Sequence, residues 1–91
     1  MSRDIVWTSQ FKKDYKLAGK RGQDLDLIDD CIRKLASGET MDIKYRDHSL
    51  SGRWAGHREC HIEPDWLLIY RIEGDDLILI LARAGSHSDM F

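Results

Sequence analysis

Disulfides, prolines and long apolar runs are scarce in this sequence, which has two cysteines and one proline among 91 residues. Cys31 and Cys60 can form at most one bridge, which excludes a disulfide framework and favours reduced, packed thiols. The longest apolar run, Leu77 to Ala82, is far too short to cross a bilayer, and the first residues contain no apolar stretch typical of a signal peptide. We therefore expect a soluble, cytoplasmic chain without membrane contacts, folded as a single domain over residues 1–91.

An excess of positive charge is also missing, since 14 lysines and arginines are set against 16 acidic residues and the net charge is −2. This balance argues against a general polyanion-binding protein, because nucleic-acid-binding domains usually carry a basic excess. The charges are nevertheless segregated, with an acidic block between two basic regions. The residues concerned are Lys12, Lys13, Lys16, Lys20 and Arg21; then Asp24, Asp26, Asp29 and Asp30; then Lys44, Arg46, Arg53, Arg58, Arg71 and Arg83. A cationic face is therefore compatible with an acidic protein.

The first half of the chain is predicted to form one short strand and two helices. Asp4 to Trp7 is prone to β-structure, and the Thr8-Ser9 pair can cap a helix that ends near Gly19. A second helix is predicted from Asp24 to Ala36, because apolar side chains recur there at helical spacing and Gly38 follows as a stop. The apolar positions of the two helices are Phe11, Tyr15, Ala18, Leu25, Ile28, Ile32 and Leu35.

The second half of the chain is predicted to contain a long loop and then an antiparallel meander. Residues 39–56 are polar and show no sustained period, which indicates a structured loop with room for one short strand. Three strand-like runs follow, separated by turn residues: His57–Glu63, Trp66–Glu73 and Asp76–Ala84. The last run is apolar on both faces, so we expect it to be central, with the helices covering one face of the sheet. The predicted class is α+β, with two N-terminal helices packed on a mainly antiparallel, twisted four-stranded sheet.

Alternation along the first strand of the meander places His57, Glu59 and His61 on one face and Arg58 and Cys60 on the other. Two imidazoles and a carboxylate can carry chemistry, although a solvated strand face shows the same pattern. The three residues also form a recognised set of metal ligands. Cys60 faces away from the histidines, however, and no Cys-x-x-Cys or His-Glu-x-x-His spacing is present. The sequence therefore predicts a site without a metal or a cofactor.

Two further histidines lie beside the predicted sheet: His48 in the long loop and His87 after the last strand. An antiparallel meander brings strand ends together. Asp65 at the first turn and Arg83 near the end of the last strand can therefore join these histidines if the loops fold back over the sheet. The glycines lack the spacing of a phosphate-binding loop, and no serine has the setting of an activated nucleophile. Serine-type and cysteine-type hydrolase chemistry is therefore not predicted.

Two aromatic residues stand outside the expected core: Trp54 in a glycine-flanked loop and Phe91 at the C-terminal end. Trp66 and Tyr70 share a strand face and are predicted to be core residues. Trp54 and Phe91 are instead candidates to stack on an unstacked nucleobase. A frayed terminus is the alternative interpretation for Phe91.

Three segments carry a family resemblance that extends over essentially the whole chain. They are Arg46-Asp47-His48-Ser49-Leu50, the run from Gly52 to Tyr70 with its His61-Ile62-Glu63-Pro64-Asp65-Trp66 motif, and Arg83-Ala84-Gly85-Ser86-His87 through Phe91. The combination of a loop histidine, this motif and a terminal histidine with phenylalanine is specific. The sequence resembles the YafQ toxins of the RelE superfamily.

The resemblance implies a RelE-like fold with a long active-site loop and the activity of a bacterial, ribosome-dependent mRNA endonuclease. It implies as partners a cognate DinJ- or RelB-like antitoxin, the ribosome with its mRNA, and operator DNA bound only through the antitoxin complex. On matching positions, the expected catalytic residues are His48, Glu59, His61, Asp65 and His87. The expected RNA- and phosphate-binding residues are Lys44, Arg46, Arg53, Trp54, Arg83 and Phe91.

Cleavage of RNA by its own 2′-hydroxyl needs a base, an acid for the leaving 5′-oxygen and cationic stabilisation of the phosphorane. Histidine serves either proton role near neutral pH. We expect His87 to be the acid and either His48 or Asp65 to be the base, although the two roles can be exchanged. His61 and Arg83 are expected to hold the phosphate, without a metal ion.

The chain departs from the family pattern at three places, and two of them, Glu59 and Asp89, favour an alternative function. Ser49 replaces a typical proline, Glu59 replaces the usual aspartate, and Asp89 adds an acid close to His87. Additional or displaced carboxylates repel a phosphate. The alternative is a catalytically inactive protein of the same fold that only binds antitoxin and operator DNA. No histidine is lost, so the endonuclease is the preferred prediction.

Overall fold

The computed structural model describes residues 2–91, which form three helices and five strands. The bounds are β1 Asp4–Trp7, α1 Ser9–Lys20, α2 Leu25–Ser37, β2 His48–Ser49, β3 Arg58–Glu63, β4 Trp66–Glu73, β5 Ile78–Gly85 and α3 His87–Met90. Two 3₁₀ turns, Ile43–Tyr45 and Gly52–Trp54, lie in the long segment between α2 and β3. None of the helices within residues 2–91 has the length and apolar composition that a bilayer crossing needs. The predicted α+β class is confirmed.

The strands form one mixed sheet in the order β1-β5-β4-β3-β2. β1 pairs in parallel with β5, and the other neighbours are antiparallel. The prediction of four strands is wrong, because the two-residue strand His48–Ser49 adds a fifth at the β3 edge. A strand of two residues shows no hydrophobic period, so only its pairing partner reveals it. β5 lies inside the sheet between β1 and β4, as its apolar composition predicted.

Capping residues set the ends of the two long helices where the sequence predicted them. The Thr8 side chain accepts a hydrogen bond from the Phe11 N–H, and the Asp24 side chain accepts one from the Asp26 N–H. Gly38 ends α2 in the left-handed conformation with φ 80°, which glycine adopts without a Cβ penalty. These caps satisfy backbone groups that the helices themselves leave unpaired.

Helix α3 was not predicted. Ser86 and Asp89 form a capping box, in which each side chain accepts a hydrogen bond from the backbone N–H of the other residue. Such a helix is too short for a periodic apolar stripe, so its signal is the Ser-x-x-Asp spacing alone. The box places His87 in the first turn of α3, directly after β5.

The two faces of the sheet are covered unequally. Helices α1 and α2 bury one face in the main core, which includes Phe11, Ile28, Cys31, Cys60, Trp66, Leu68, Tyr70, Leu79 and Leu81. Both cysteines are free and buried, and hydrogen bonding with Cys31 together with burial raises the pKa of the Cys60 thiol. The opposite face has a much smaller apolar cluster of Leu67, Ile69 and Met90. That second face carries the polar residues described next.

Candidate active site

A buried carboxylate lies at the centre of the histidine-bearing face. Glu59 on β3 is only 4% exposed, and its Oε1 lies 3.7 Å from Nε2 of both His48 and His61. Strand β2 makes this possible, because its pairing with β3 puts His48 directly opposite Glu59. His61 follows two residues later on the same face of β3 and is 8% exposed. The arrangement can hold a positive charge on either imidazole.

The third histidine reaches this group from the other end of the chain. The His87 ring centroid lies 5.9 Å from that of His61, and the His48 and His61 centroids are 6.1 Å apart. Asp65, in the turn between β3 and β4, accepts hydrogen bonds from the His87 backbone N–H at 3.1 Å and from the His87 Nδ1 at 2.9 Å. The structure therefore brings together all five residues that the sequence assigned to the catalytic set.

Hydrogen bonds at Nδ1 orient two of the imidazoles. His48 Nδ1 lies 2.7 Å from the Arg46 carbonyl oxygen, and His87 Nδ1 lies against the Asp65 carboxylate. Both acceptors lack a proton, so Nδ1 carries the hydrogen in each ring and Nε2 is left for the site. The hydrogen bonds from His87 lower the pKa of Asp65 below its ordinary value. Asp65 is therefore an ionised acceptor at neutral pH.

The two aromatic candidates have different surroundings. Phe91 is 62% exposed, with its ring centroid 6.3 Å from that of His87. Its backbone N–H donates to the His87 carbonyl at 2.8 Å, which ties the end of the chain to α3. Trp54 instead packs against the small apolar cluster and meets His57 edge-on. Phe91 thus offers an open ring face beside the histidines, and Trp54 mainly supports the sheet.

The four cations predicted to bind RNA make no side-chain hydrogen bond to the histidines within residues 2–91. Lys44 and Arg46 line a cavity of about 300 Å³ that also borders His61. Arg53 stacks on the Trp54 ring, 5.8 Å from its centroid. Arg83 forms an ion pair with Asp14 of α1. Lys44 and Arg46 therefore put positive charge beside His61, on a protein whose net charge is negative.

Comparison with known protein families identifies the family of the chain. A protein-family model described as the bacterial toxin of type II toxin-antitoxin systems, YafQ, matches residues 3–91. The chain belongs to the YafQ toxin family.

Relatives of this family match the chain from end to end. It is 39% identical over 93 residues to the mRNA interferase toxin YafQ of Escherichia coli strain K12, covering 100% of this chain and 98% of that protein. It is similar to the crystal structure of the E. coli DinJ-YafQ toxin-antitoxin complex, with TM-score 0.90, 38% identity and coverage of 100% and 99%. It is also similar to the crystal structure of a metal-bound toxin from Helicobacter pylori, with TM-score 0.90, 41% identity and complete coverage of both chains.

His57 stands apart from the cluster of histidines around Glu59 in this YafQ-family chain. Strand β3 begins at Arg58, so the alternation of side chains that puts Glu59 and His61 on one face does not extend to His57. Its Nδ1 is 3.4 Å from the Ala55 carbonyl oxygen, and its ring packs against Trp54. Cys60 faces the helices, as strand parity predicted. The predicted triplet therefore reduces to two residues, Glu59 and His61.

Sequence reasoning missed a residue that anchors the loop before β2 to the sheet. The Asp47 carboxylate accepts a hydrogen bond from Arg58 Nε at 2.7 Å and another from the Tyr70 hydroxyl. Burial and the bond to Asp47 raise the pKa of Tyr70, so this hydroxyl remains a donor. Asp47 directly precedes His48, and this contact fixes where His48 enters the site. The only signal for this residue in the sequence was that Asp47, an acidic residue, directly precedes the loop histidine His48.

The same residues can hold a metal ion. One ligand atom from each of Glu59, His61 and His87 lies within 4.8 Å of the others. Imidazole and carboxylate suit Zn²⁺ and similar ions, and the Asp65 contact to His87 is of the kind that orients metal-bound histidines. The sequence argument against a metal considered Cys60 as a further ligand beside the histidines of β3. In the structure the third possible ligand is instead His87, which is distant along the chain.

Proposed function

We propose that this protein is an mRNA endoribonuclease, the toxin of a type II toxin–antitoxin pair. The observation that carries the proposal is the convergence of three histidines around the buried Glu59, on the open face of the sheet. Similarity to the E. coli mRNA interferase over the whole chain supports the substrate class. We further propose that cleavage takes place on mRNA bound to the ribosome.

The proposed reaction is an in-line attack by the 2′-hydroxyl on the adjacent phosphate. A base removes the 2′-hydroxyl proton as the O2′–P bond forms, the P–O5′ bond breaks, and an acid protonates the leaving O5′. The products are a 2′,3′-cyclic phosphate and a 5′-hydroxyl. The reaction needs no metal ion, because the imidazoles supply both proton transfers and positive charge.

The surroundings of each group favour one assignment of the roles. We assign the acid to His87, whose Nε2 is left for substrate by the Asp65 contact at Nδ1. Asp65 has a lowered pKa and is therefore a weak base, better suited to orient His87. His48 is then the base, since the Arg46 carbonyl leaves its Nε2 lone pair available. Glu59 stabilises the imidazolium that His48 becomes.

Phosphate and base contacts complete the proposed site. We propose that His61, next to Glu59, and Arg83 stabilise the charge that develops on the phosphorane oxygens. Phe91 offers an exposed ring for stacking on a nucleobase. Lys44, Arg46 and Arg53 provide flanking phosphate contacts.

An antitoxin is the proposed protein partner. The E. coli YafQ relative has been crystallised in complex with DinJ, and the end-to-end similarity of the two toxins supports an antitoxin of that type for this chain. We propose that operator DNA is bound only through the antitoxin complex. The exposed cations Lys44 and Arg46 beside His61 provide a surface that an acidic antitoxin segment can neutralise.

The inactive-protein alternative depended partly on Asp89, and its position weakens that argument. Asp89 Oδ2 accepts hydrogen bonds from the Ser86 N–H at 3.0 Å and from Arg21 at 3.2 Å. The bonds from Ser86 lower the pKa of Asp89, with a further contribution from Arg21. Its charge thus caps α3 and pairs with Arg21, the residue that follows α1.

The test is induced expression of wild type and His87→Ala in a bacterial host, with growth measured and mRNA 5′ ends mapped. We expect growth arrest and in-frame cuts with 5′-hydroxyl ends, both lost in His87→Ala. His57→Ala is the matched control, because it removes a histidine outside the cluster. Soluble wild type that neither arrests growth nor cuts mRNA would favour the inactive, antitoxin-binding alternative, and 5′-phosphate ends would refute the mechanism.

A further inference from the structure

A β-bulge determines which face of the sheet Arg83 occupies. Ile69 on β4 pairs with Arg83, but the next residue, Tyr70, pairs with Leu81, so β5 carries one additional residue at this point. Leu81 and Ala84 both belong to the main core, although a regular strand would put them on opposite faces. The bulge thus turns the Cβ of Arg83 to the face of its partner Ile69, and its guanidinium reaches α1 at the edge of the sheet.

The same register relates Arg83 to the centre of the site. Ile69 pairs with Arg83 on one side and with Glu59 on the other. Directly paired residues project from the same face of a sheet. Glu59, Ile69 and Arg83 therefore form one row across the face that carries the histidines, and Arg83 stands two strands away from Glu59.

Asp14 of α1 holds the Arg83 side chain in this position. Arg83 Nε donates to Asp14 Oδ2 at 2.9 Å, and Arg83 Nη2 donates to Asp14 Oδ1 at 3.2 Å. This paired contact fixes the plane of the guanidinium, which a single bond would not do. Within residues 2–91, no hydrogen bond engages Nη1, so that nitrogen retains its donors for another acceptor.

Asp14 also replaces a missing strand neighbour. β1 pairs with β5 only as far as Leu81, so the backbone beyond that point lies at an unpaired edge. The Ala84 N–H at this edge donates to Asp14 Oδ2 at 3.0 Å, and Gln10 Nε2 donates to Oδ1 at 3.1 Å. Asp14 is 8% exposed, so both carboxylate oxygens are committed to these partners.

From this geometry we propose that Asp14 is a positioning residue for RNA cleavage: it fixes the bulged segment of β5 and orients the Arg83 guanidinium towards the phosphate. The proposal rests on the proposed function, in which Arg83 contacts phosphate. A stabilising role alone does not account for the paired contact with Arg83, because a buried ion pair often gives no net gain over apolar residues of similar volume. Orientation of a charged donor is a gain that apolar residues cannot supply.

The test compares Asp14→Asn with wild type in single-turnover cleavage of mRNA on ribosomes. Asparagine keeps the size of the side chain but loses the charge and one of its two acceptor oxygens. We expect the maximal cleavage rate to fall by about 100-fold, the loss typical of a catalytic group misplaced by about 1 Å. The dependence of the rate on toxin concentration should change little. Asp29→Asn is the matched control, since Asp29 bonds to Tyr15 on the helical side of the molecule and is expected to retain the wild-type rate.

A double-mutant cycle separates positioning from general stabilisation. If Asp14 acts through Arg83, Asp14→Asn causes no further loss in an Arg83→Ala background, whereas an independent structural effect would be additive. Arg83→Lys is a second variant that keeps the charge but cannot make the paired bonds. We expect it to lose rate as Asp14→Asn does, and a wild-type rate in either variant would overturn the proposal.

The outcomes also distinguish this proposal from the proposed function. An Arg83→Ala variant that cleaves at the wild-type rate would refute the phosphate contact of Arg83, and with it the positioning role. A strong loss in Arg83→Ala together with full activity in Asp14→Asn would overturn only the role of Asp14. Melting temperatures of all variants show whether a loss follows unfolding, and cleavage is measured well below the lowest of them.

Discussion

Gly85 joins β5 to α3, and a single methyl group at this position tests how the site is assembled. A Cβ on residue 85 would lie 2.9 Å from Asp89 Oδ2 and 3.1 Å from Asp89 Cβ. Asp89 cannot retreat freely, because the same oxygen accepts the Ser86 N–H and pairs with Arg21. Gly85→Ala is therefore expected to break the capping box of α3.

The expected size of the effect differs between stability and activity. Loss of the cap costs about 0.5–2 kcal/mol of unfolding free energy, which lowers the melting temperature by roughly 4–8 °C per kcal/mol for a domain of this size. A four-residue helix does not persist without its cap, so His87 loses its alignment with Asp65 and His61. Cleavage is then expected to fall towards the loss caused by removing a general acid, about 10²–10⁴-fold.

Gly19→Ala is the matched control for this experiment. Its Cβ meets only Leu25 Cδ1 at 3.4 Å, an ordinary contact, and the position is helical. Alanine there is expected to stabilise the protein by about 0.5–1 kcal/mol without affecting cleavage. Thermal unfolding and ribosome cleavage assays on both variants check the pair. Wild-type cleavage by Gly85→Ala with an unchanged melting temperature would refute the reasoning.

Three further predictions concern the site itself. In a ¹³C NMR titration, Asp65 should titrate below its ordinary value of 3.8. The ionised Asp65–His87 pair therefore stabilises the fold fully above pH 3.8, the pKa of Asp65 in the unfolded chain. This stabilisation is lost as the pH falls through the lower pKa that Asp65 has in the folded protein. His87→Ala should raise that midpoint, and a wild-type midpoint above 3.8 would contradict the pairing. Phe91→Ala should raise the KM for mRNA, because base stacking contributes about 1–3 kcal/mol, while Phe91→Tyr should retain binding. Added Zn²⁺ should inhibit cleavage by binding to Glu59, His61 and His87, and EDTA should restore the rate measured before zinc was added. Full activity in saturating Zn²⁺ would show that these residues do not bind the ion.

The regular elements were predictable because each has a local physical cause. The apolar stripe of α2 repeats over more than three turns, and Asp24 and Gly38 mark its ends. Strands β3 to β5 alternate or are continuously apolar between turn residues. Strand β2 was not predictable as a fifth strand, because two residues carry no period and exist as a strand only through pairing with β3.

The site was predictable in composition but not in arrangement. Strand parity alone brings Glu59 and His61 together, whereas His48 and His87 join them through β2 and α3, which depend on tertiary contacts. The same limit explains why Asp14 was missed. It lies 69 residues from Arg83 along the chain, and the bulge that brings Arg83 to the site face is visible only in the strand register.

The unequal burial of the two sheet faces separates stability from chemistry in this molecule. The helix face buries most of the apolar side chains, while the site face buries only Leu67, Ile69 and Met90 as a cluster. Because apolar burial is the main stabilising contribution to folding, substitutions of exposed site residues such as His48 remove little of it. Glu59 is the exception, since a buried carboxylate between two imidazoles can destabilise the fold when its partners are removed. We therefore expect His48 and His61 to contribute to folding through Glu59 as well as to the proposed cleavage. Combined changes at these three positions should not be additive in unfolding free energy.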